Sequence, residues 1–561
     1  MRIGCWMIIV AACGTIPVWA GEGAAGAEVE FTPLLDTYLA KFKPLFLEAQ
    51  AASWEANVSG TDQAFARKQA AETAVVKLHS DPQVFGQLKA LKEGGKVTDP
   101  ALRRQVEVMY RSYLRSQGDP QLHERIVALE NELDQIFNTH RSRVAGKDLT
   151  ENDVREILGS TRDSAAAAAT WKAYMEVGAK ADAKLRELVA LRNTLARQLG
   201  FANYYVLSLT MQEMEEAELL AMFDELDVLT RQPFAELKQR IDGERAAHFG
   251  IPAGQLRPWH FGDLFFQEAP PTGELDADAL FARANLVELA KAYYAGIGLP
   301  CEDILVRSDL YEKPGKCPHA FCAHLDRAGD IRVLCNLKPN AYWADTLLHE
   351  LGHAVYDKYL DPQAPFLLRS AAHGLTTEGI AVMFGALSMN ESWLRDTLQV
   401  EPTTAHEVAG AMRARLRTER LIFSRWAQVM VRFEHGMYAN PEQDLGKLWW
   451  DLKRQYQLLN PPESVQRPDY AAKTHVLGTP AYYHNYLLGE LFAAQVRHQL
   501  ASKVLGVTDP RRIDWCNDPR IGEYLRTRVF APGALYSWRE LTQRATGEPL
   551  GPRCFVAELE P

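Results

Sequence analysis

The chain has 561 residues, 47% of them apolar, and a net charge of −10. That length is ample for a large core. The charge, with no basic stripe along the chain, argues against nucleic acid or acidic lipid as a partner. Beyond the N-terminus, no apolar run is long enough to cross a membrane.

Residues 1–20 read as an export signal. Arg2 is a minimal positive region, residues 7–18 are apolar, and Val18-Trp19-Ala20 carries small residues where a signal peptidase reads. The mature protein is then periplasmic or secreted. A lipid anchor at Cys13, after Val10-Ala11-Ala12, is the alternative. Residues 21–28 read as a loose, small-residue leader. No Pro/Gly/Ser linker, charge block or repeat divides the rest, so 21–561 reads as one catalytic unit with two helical subdomains.

Apolar residues at three- and four-residue spacing predict helices over 31–51, 63–78, 101–116, 124–138, 165–199, 215–241, 276–296, 408–433 and 486–504. Strand patterns are few: 304–306, 320–324 and 331–334. The fold class is therefore mainly α with a small β element. Six cysteines follow the signal: Cys301, Cys317, Cys322, Cys335, Cys516 and Cys554. An even number in an exported chain allows disulfides, and the spacing fixes no connectivity.

Directly after the strand patterns comes His349-Glu350-Leu351-Gly352-His353. Histidines four apart share one helix face, where two imidazoles can hold one Zn²⁺. The intervening glutamate can then take a proton from a water polarised by the metal, which points to amide hydrolysis. The alternative is a solvated helix face. Leu347, Leu348, Leu351, Ala354 and Val355 argue against it, because they predict burial, and buried His and Glu need a partner.

A hydrolytic zinc site usually has three protein ligands. Thr376-Thr377-Glu378 reads as a helix start with Glu378 in the first turn, able to reach back to the metal. Its other reading is a carboxylate that only favours the positive end of its helix. The segment 473–486 is dense in donors for a tetrahedral intermediate: Lys473, His475, His484 and three tyrosines around Gly478-Thr479-Pro480. An aromatic core face is its other reading.

Beyond the zinc motif, the sequence resembles the peptidyl-dipeptidase A family, the angiotensin-converting-enzyme-like zinc peptidases. The resemblance lies in Trp449-Trp450, Tyr456-Gln457 and Pro461-Pro462, in Lys473-Thr474-His475, and in Tyr483 and Tyr486. It extends to the spacing of Cys317 and Cys335 and to His319-Ala320, and covers roughly residues 150–505. It implies a two-lobed helical fold with a deep central channel, releasing C-terminal dipeptides from short peptides. His349, His353 and Glu378 would bind one Zn²⁺, with Glu350 as general base and then acid. His475 and Tyr486 would stabilise the intermediate, and Lys473 and Tyr483 would hold the terminal carboxylate. His319 and Ala320 would contact substrate backbone, and Cys317 and Cys335 would be linked.

The chain also departs from the family pattern. Glu378 lies one residue farther from the second histidine, and His475 to Tyr486 is longer by one. Val382 stands in place of an Asp one turn after the glutamate ligand. Asn485 and Lys453 stand where chloride-contacting arginines are found, which argues against chloride as a second cofactor. The segment 259–267 lies in the region of a tryptophan-rich Gln motif, and Gln267 is left unassigned. An endo-acting oligopeptidase of the thimet type and a catalytically dead binding protein are the competing functions; Lys473 favours a free carboxylate over an internal cut.

Overall fold

The computed structural model describes residues 22–270 and 277–560. The signal reading at 1–20, including Cys13, lies outside the described residues. Two helices open the chain, α1 Glu22–Ser59 and α2 Asp62–His79. Three more, α3 Pro82–Gly94, α4 Pro100–Leu114 and α5 Pro120–Thr139, start alike. In each an Asp N-cap (Asp81, Asp99, Asp119) accepts backbone N–H groups and is followed by Pro at the first helical position. Proline there loses no intrahelical hydrogen bond, and the aspartate satisfies otherwise orphaned donors.

A hairpin, β1 Ser142–Val144 and β2 Lys147–Leu149, leads to α6 Glu151–Ser160, α7 Ser164–Gln198, α8 Tyr204–Met211 and α9 Glu216–Phe249. After α10 Asp278–Phe281, α11 Leu286–Gly296 and α12 Glu302–Arg307 comes a second antiparallel hairpin, β3 Phe321–His324 and β4 Ile331–Leu334. Then follow α13 Ala341–Lys358, α14 Gly374–Gly385, α15 Glu391–Asp396, α16 Pro402–Ala439, α17 Leu445–Gln457, α18 Thr474–Gly478 and α19 His484–Gln499. Shorter helical segments complete the chain. The mainly helical reading is correct, and the β element sits directly before the histidine-bearing helix.

Most of the core is one continuous apolar body. A separate cluster joins Phe31, Leu35, Tyr38 and Phe42 of α1 to Val106, Met109, Tyr110 and Tyr113 of α4. The tip of the α1–α2 hairpin docks on the loop leading into β3. Cys317 N–H donates to Asn57 C=O at 2.8 Å. A Cβ on Gly60, whose φ is +66°, would fall 1.8 Å from Gly315 O.

The structure corrects several expectations, and the helix expected over 276–296 is split into α10 and α11. Residues 22–28 are not a loose leader but the start of α1. Ala27 is buried, and Glu28 accepts from Thr98 N–H, the Thr98 hydroxyl and Asp99 N–H. Residues 304–306 are not a strand but part of α12, with Ile304 and Leu305 buried and Val306 81% exposed. Three apolar residues in a row fit either period, so the local pattern could not decide. Cys317 and Cys335 are not linked; both are free thiols. They belong to different apolar clusters. Cys317 packs with Trp54, Leu325 and Leu334, whereas Cys335 lies in the main core.

The elements that position the functional residues are α13, α14 and α19, which cross at glycines. A Cβ on Gly352 of α13 would lie 2.9 Å from Ala381 Cα of α14, and one on Gly379 of α14 would lie 2.6 Å from Gly489 O of α19. Real Cβ atoms do not approach backbone so closely. The three helices meet at this distance only because these positions carry no side chain.

Candidate active site

His349 and His353 project from the middle of α13, which is capped by Asn340 accepting from Trp343 N–H at 2.9 Å. Leu347, Leu348, Leu351, Ala354 and Val355 are buried, as their pattern predicts. The two imidazole rings are 5.0 Å apart and tilted by 79°. Glu378 reaches back from α14: His349 Nε2 lies 3.7 Å from one of its oxygens and His353 Nε2 lies 3.6 Å from the other. Donor atoms about 2.0–2.1 Å from a common zinc in tetrahedral array stand roughly 3.4 Å apart. The three side chains therefore fit that ion with little adjustment.

His353 Nδ1 lies 2.7 Å from Thr377 Oγ1. With Nδ1 protonated, the ring donates to this hydroxyl and its Nε2 lone pair faces Glu378. Orienting partners of this kind are a regular part of metal sites. Thr377 thus supports the second histidine although Val382 removes the expected Asp. Helix α14 begins at Gly374 with His373 as its N-cap: His373 Nδ1 accepts from Leu375 N–H at 3.0 Å, and the Thr376 hydroxyl donates to His373 C=O at 2.8 Å. Glu378 therefore lies in the second turn, not the first.

Burial holds both imidazoles neutral, with His349 pushed down to about 4 and His353 to about 3. That is the state a metal ligand needs. Glu350 is 7% exposed. Burial first, and then the charge of Glu378, pushes its carboxyl up to about 8, against a hydrogen bond from Cys322 N–H that favours the carboxylate. A divalent cation between the two acids would reverse that bias.

Ala320, Phe321 and Cys322 line the same cavity as His349, Glu350, His353 and Glu378. The β3 strand therefore borders the site, and Ala320, just before it, is part of the cavity wall. His319 is exposed and lies outside this lining.

A second group of side chains lies around Tyr483. Its ring centroid is 5.2 Å from His475 and 5.3 Å from Tyr486, and the Tyr486 hydroxyl is held protonated by burial and by the nearby charge of Glu378. His475 Nδ1 is buried without a hydrogen-bond partner. Lys473 Nζ donates to Gln267 Oε1 at 2.7 Å, the Tyr483 hydroxyl approaches the same oxygen at 3.4 Å, and Trp426 Nε1 donates to that hydroxyl at 2.7 Å. Lys473 is buried among Phe265, Trp426 and Tyr483, and desolvation lowers its pKa to about 8.

Gln267 is the residue sequence reasoning left out. Its backbone is fixed by Asp263, whose carboxylate accepts from Phe265 N–H and Gln267 N–H at 3.0 and 2.9 Å. Phe266 takes φ +53°, and Lys453 Nζ donates to Phe265 C=O at 2.8 Å. The Trp-to-Gln spacing was a signal. The partners of Gln267 lie more than 200 residues away, and only tertiary structure names them.

The site is that of a metallopeptidase with two histidines and one carboxylate. The chain belongs to the peptidase M2, angiotensin-converting enzyme family, whose model matches residues 27–268 and 272–550. It is similar to angiotensin-converting enzyme of Rattus norvegicus, 21% identical over 93% of this chain and 42% of that one. The same enzyme of Oryctolagus cuniculus is 22% identical over 79% of this chain and 36% of that one. Thermostable carboxypeptidase 1 of Thermus thermophilus is 25% identical over 41% of this chain and 49% of that one. The chain thus spans half or less of the length of these curated relatives. No helix among the described residues is long and apolar enough to cross a membrane.

Proposed function

We propose that this chain is an exported zinc peptidyl-dipeptidase with one Zn²⁺, held by His349, His353 and Glu378, acting on short peptides in a channel between two helical halves. The observation that carries the dipeptide reading is the buried group of Gln267, Lys473 and Tyr483. A buried ammonium beside an amide and a phenol is suited to a free carboxylate and has no use in an internal cut. The channel is supported by ligand side chains that are deeply surrounded by protein and still 23%, 19% and 36% exposed.

The metal, when bound, supplies Lewis-acid polarisation of the scissile carbonyl and of water. Glu350, steadied by Cys322 N–H, accepts a proton from the water and returns it to the leaving nitrogen. The Tyr486 hydroxyl and His475 donate to the oxygen that gains negative charge. The β3 edge offers backbone groups to an extended peptide. Lys473, Gln267 and Tyr483 fix the terminal carboxylate, and their distance from the metal fixes how many residues leave.

Mass spectrometry of digests of peptides with free and amidated C-termini tests the reading. Dipeptides released only from free acids support it. Internal fragments from both would indicate an oligopeptidase, and single residues a simple carboxypeptidase.

A further inference from the structure

The cavity that holds the metal ligands does not end with them. Its wall continues along α13 to Asp357, with Ala371 and Thr377 also lining it, in a volume of about 390 Å³. Asp357 is four residues past His353, hence on the same helix face and about 6 Å farther along the axis. Gln267, Lys473 and Tyr483 do not line this cavity. The cavity that reaches Asp357 is thus lined by a different set of residues from the group around Tyr483.

Asp357 has no part in the chemistry already described. The second nitrogen of His353 is taken by Thr377, and Glu350 has Cys322 N–H. The Asp357 carboxylate accepts no hydrogen bond from any described residue, and its one ion-pair neighbour is His324 Nδ1, at 4.0 Å. That imidazole is neutral, pushed down to about 4 by burial, and its Nε2 accepts from Gly329 N–H at 3.3 Å. Burial pushes the Asp357 carboxyl up to about 7, and the nearby charge of Arg327 works against that rise. Its guanidinium, however, donates to the carbonyls of Phe366 and Leu367 and stacks on Phe46 and Phe366. Asp357 is thus an acidic group set among protein atoms, 22% exposed and without a hydrogen-bond partner among the described residues. Such a group is costly until a donor reaches it.

We infer that Asp357 selects substrates with a cationic group on the second residue before the scissile bond. An extended peptide advances about 3.3–3.6 Å per residue, so two residues cover the step from His353 to Asp357. The cation is either a Lys or Arg side chain at that position or, in a tetrapeptide, the free α-ammonium. The direction of the peptide rests on the peptidyl-dipeptidase reading above.

The test uses N-acetylated hexapeptides, free at the C-terminus, that differ only in Lys, Ala or Glu at that position. The kcat/KM of the Lys peptide should exceed that of the Glu peptide by roughly tenfold or more, the size typical of a desolvated charge contact. Asp357→Asn should lower that ratio about tenfold, and Asp357→Lys should invert it. Equilibrium binding of the same peptides to the Glu350→Gln protein should show the same order. N-acetylation of an alanine tetrapeptide should weaken it if the α-ammonium is also read. Equal rates and affinities for the Lys, Ala and Glu peptides in the unmodified protein overturn the inference, whether or not the variants fold. The products locate the cut. An internal cut would overturn the proposed function, while the Lys-to-Glu ratio would still decide the role of Asp357.

Discussion

Two regions of this molecule carry the proposed peptidase chemistry and are built in opposite ways. The metal-ligand set comes from α13 and α14, about 30 residues of chain. Its geometry is set by helical spacing and by a glycine-mediated crossing. The proposed carboxylate clamp takes one residue from the segment after α9, one from just before α18 and one from just before α19. The first is a local device that tolerates little change. The second depends on several independent supports, and each can be weakened separately.

The largest expected effect strikes the local device. Glu350→Gln should keep fold and zinc but lower kcat by about 10³- to 10⁴-fold, because the amide cannot accept the proton; near-normal turnover would end the mechanism. Gly352→Val should force α13 from α14 and weaken zinc binding roughly a hundredfold, with a stability loss of about 1–3 kcal/mol. Metal titration and thermal denaturation read both. Unchanged zinc affinity would show that the crossing does not set the ligand geometry.

Effects on the clamp should be smaller and selective. Lys473→Ala should lower kcat/KM on free acids about ten- to a hundredfold and hardly affect C-terminal amides. Gln267→Ala should produce a smaller loss in the same direction, about tenfold, because it removes a hydrogen-bonding amide but no charge. A depressed lysine pKa means the ammonium is present below about 8 and lost above it. The preference for free acids over amides should therefore shrink as pH rises through that value. A preference that is flat from pH 7 to pH 9 would remove Lys473 from the clamp. The smallest expected effect is that of chloride. Asn485 Nδ2 donates to Gln212 Oε1 at 2.6 Å, and Lys453 is committed to Phe265 C=O. Exchange of chloride for acetate at constant ionic strength should change kcat/KM by less than about twofold, as for a surface-screening effect alone.

The contrast also explains what could be read from the sequence. His349, His353 and Glu350 follow from a spacing rule within one helix, and the long helices follow from apolar periodicity. Glu378 was legible because its helix start lies close in sequence, although the N-cap proved to be His373 and not the Thr pair. Thr377 was visible only as part of that start, not as the partner of His353. Gln267 carries only its spacing from Trp259 as a local signal, and Asp357 carries none. One acquires meaning from Lys473, across more than 200 residues; the other from the cavity that reaches it. The strand reading at 304–306 failed because three apolar residues cannot distinguish helix from strand. The structure shows no Cys317–Cys335 bond, and spacing alone says nothing about which apolar cluster each thiol joins.

The glycines where α13, α14 and α19 cross have a consequence for altering this protein. They divide the site into a portion that must be inherited intact and a portion open to variation. A library that spares Gly352, Gly379 and Gly489 and randomises the surroundings of Gln267 and Asp357 would sample new peptide preferences on an unchanged metal centre. One that randomises the junction would mostly return proteins that bind no zinc.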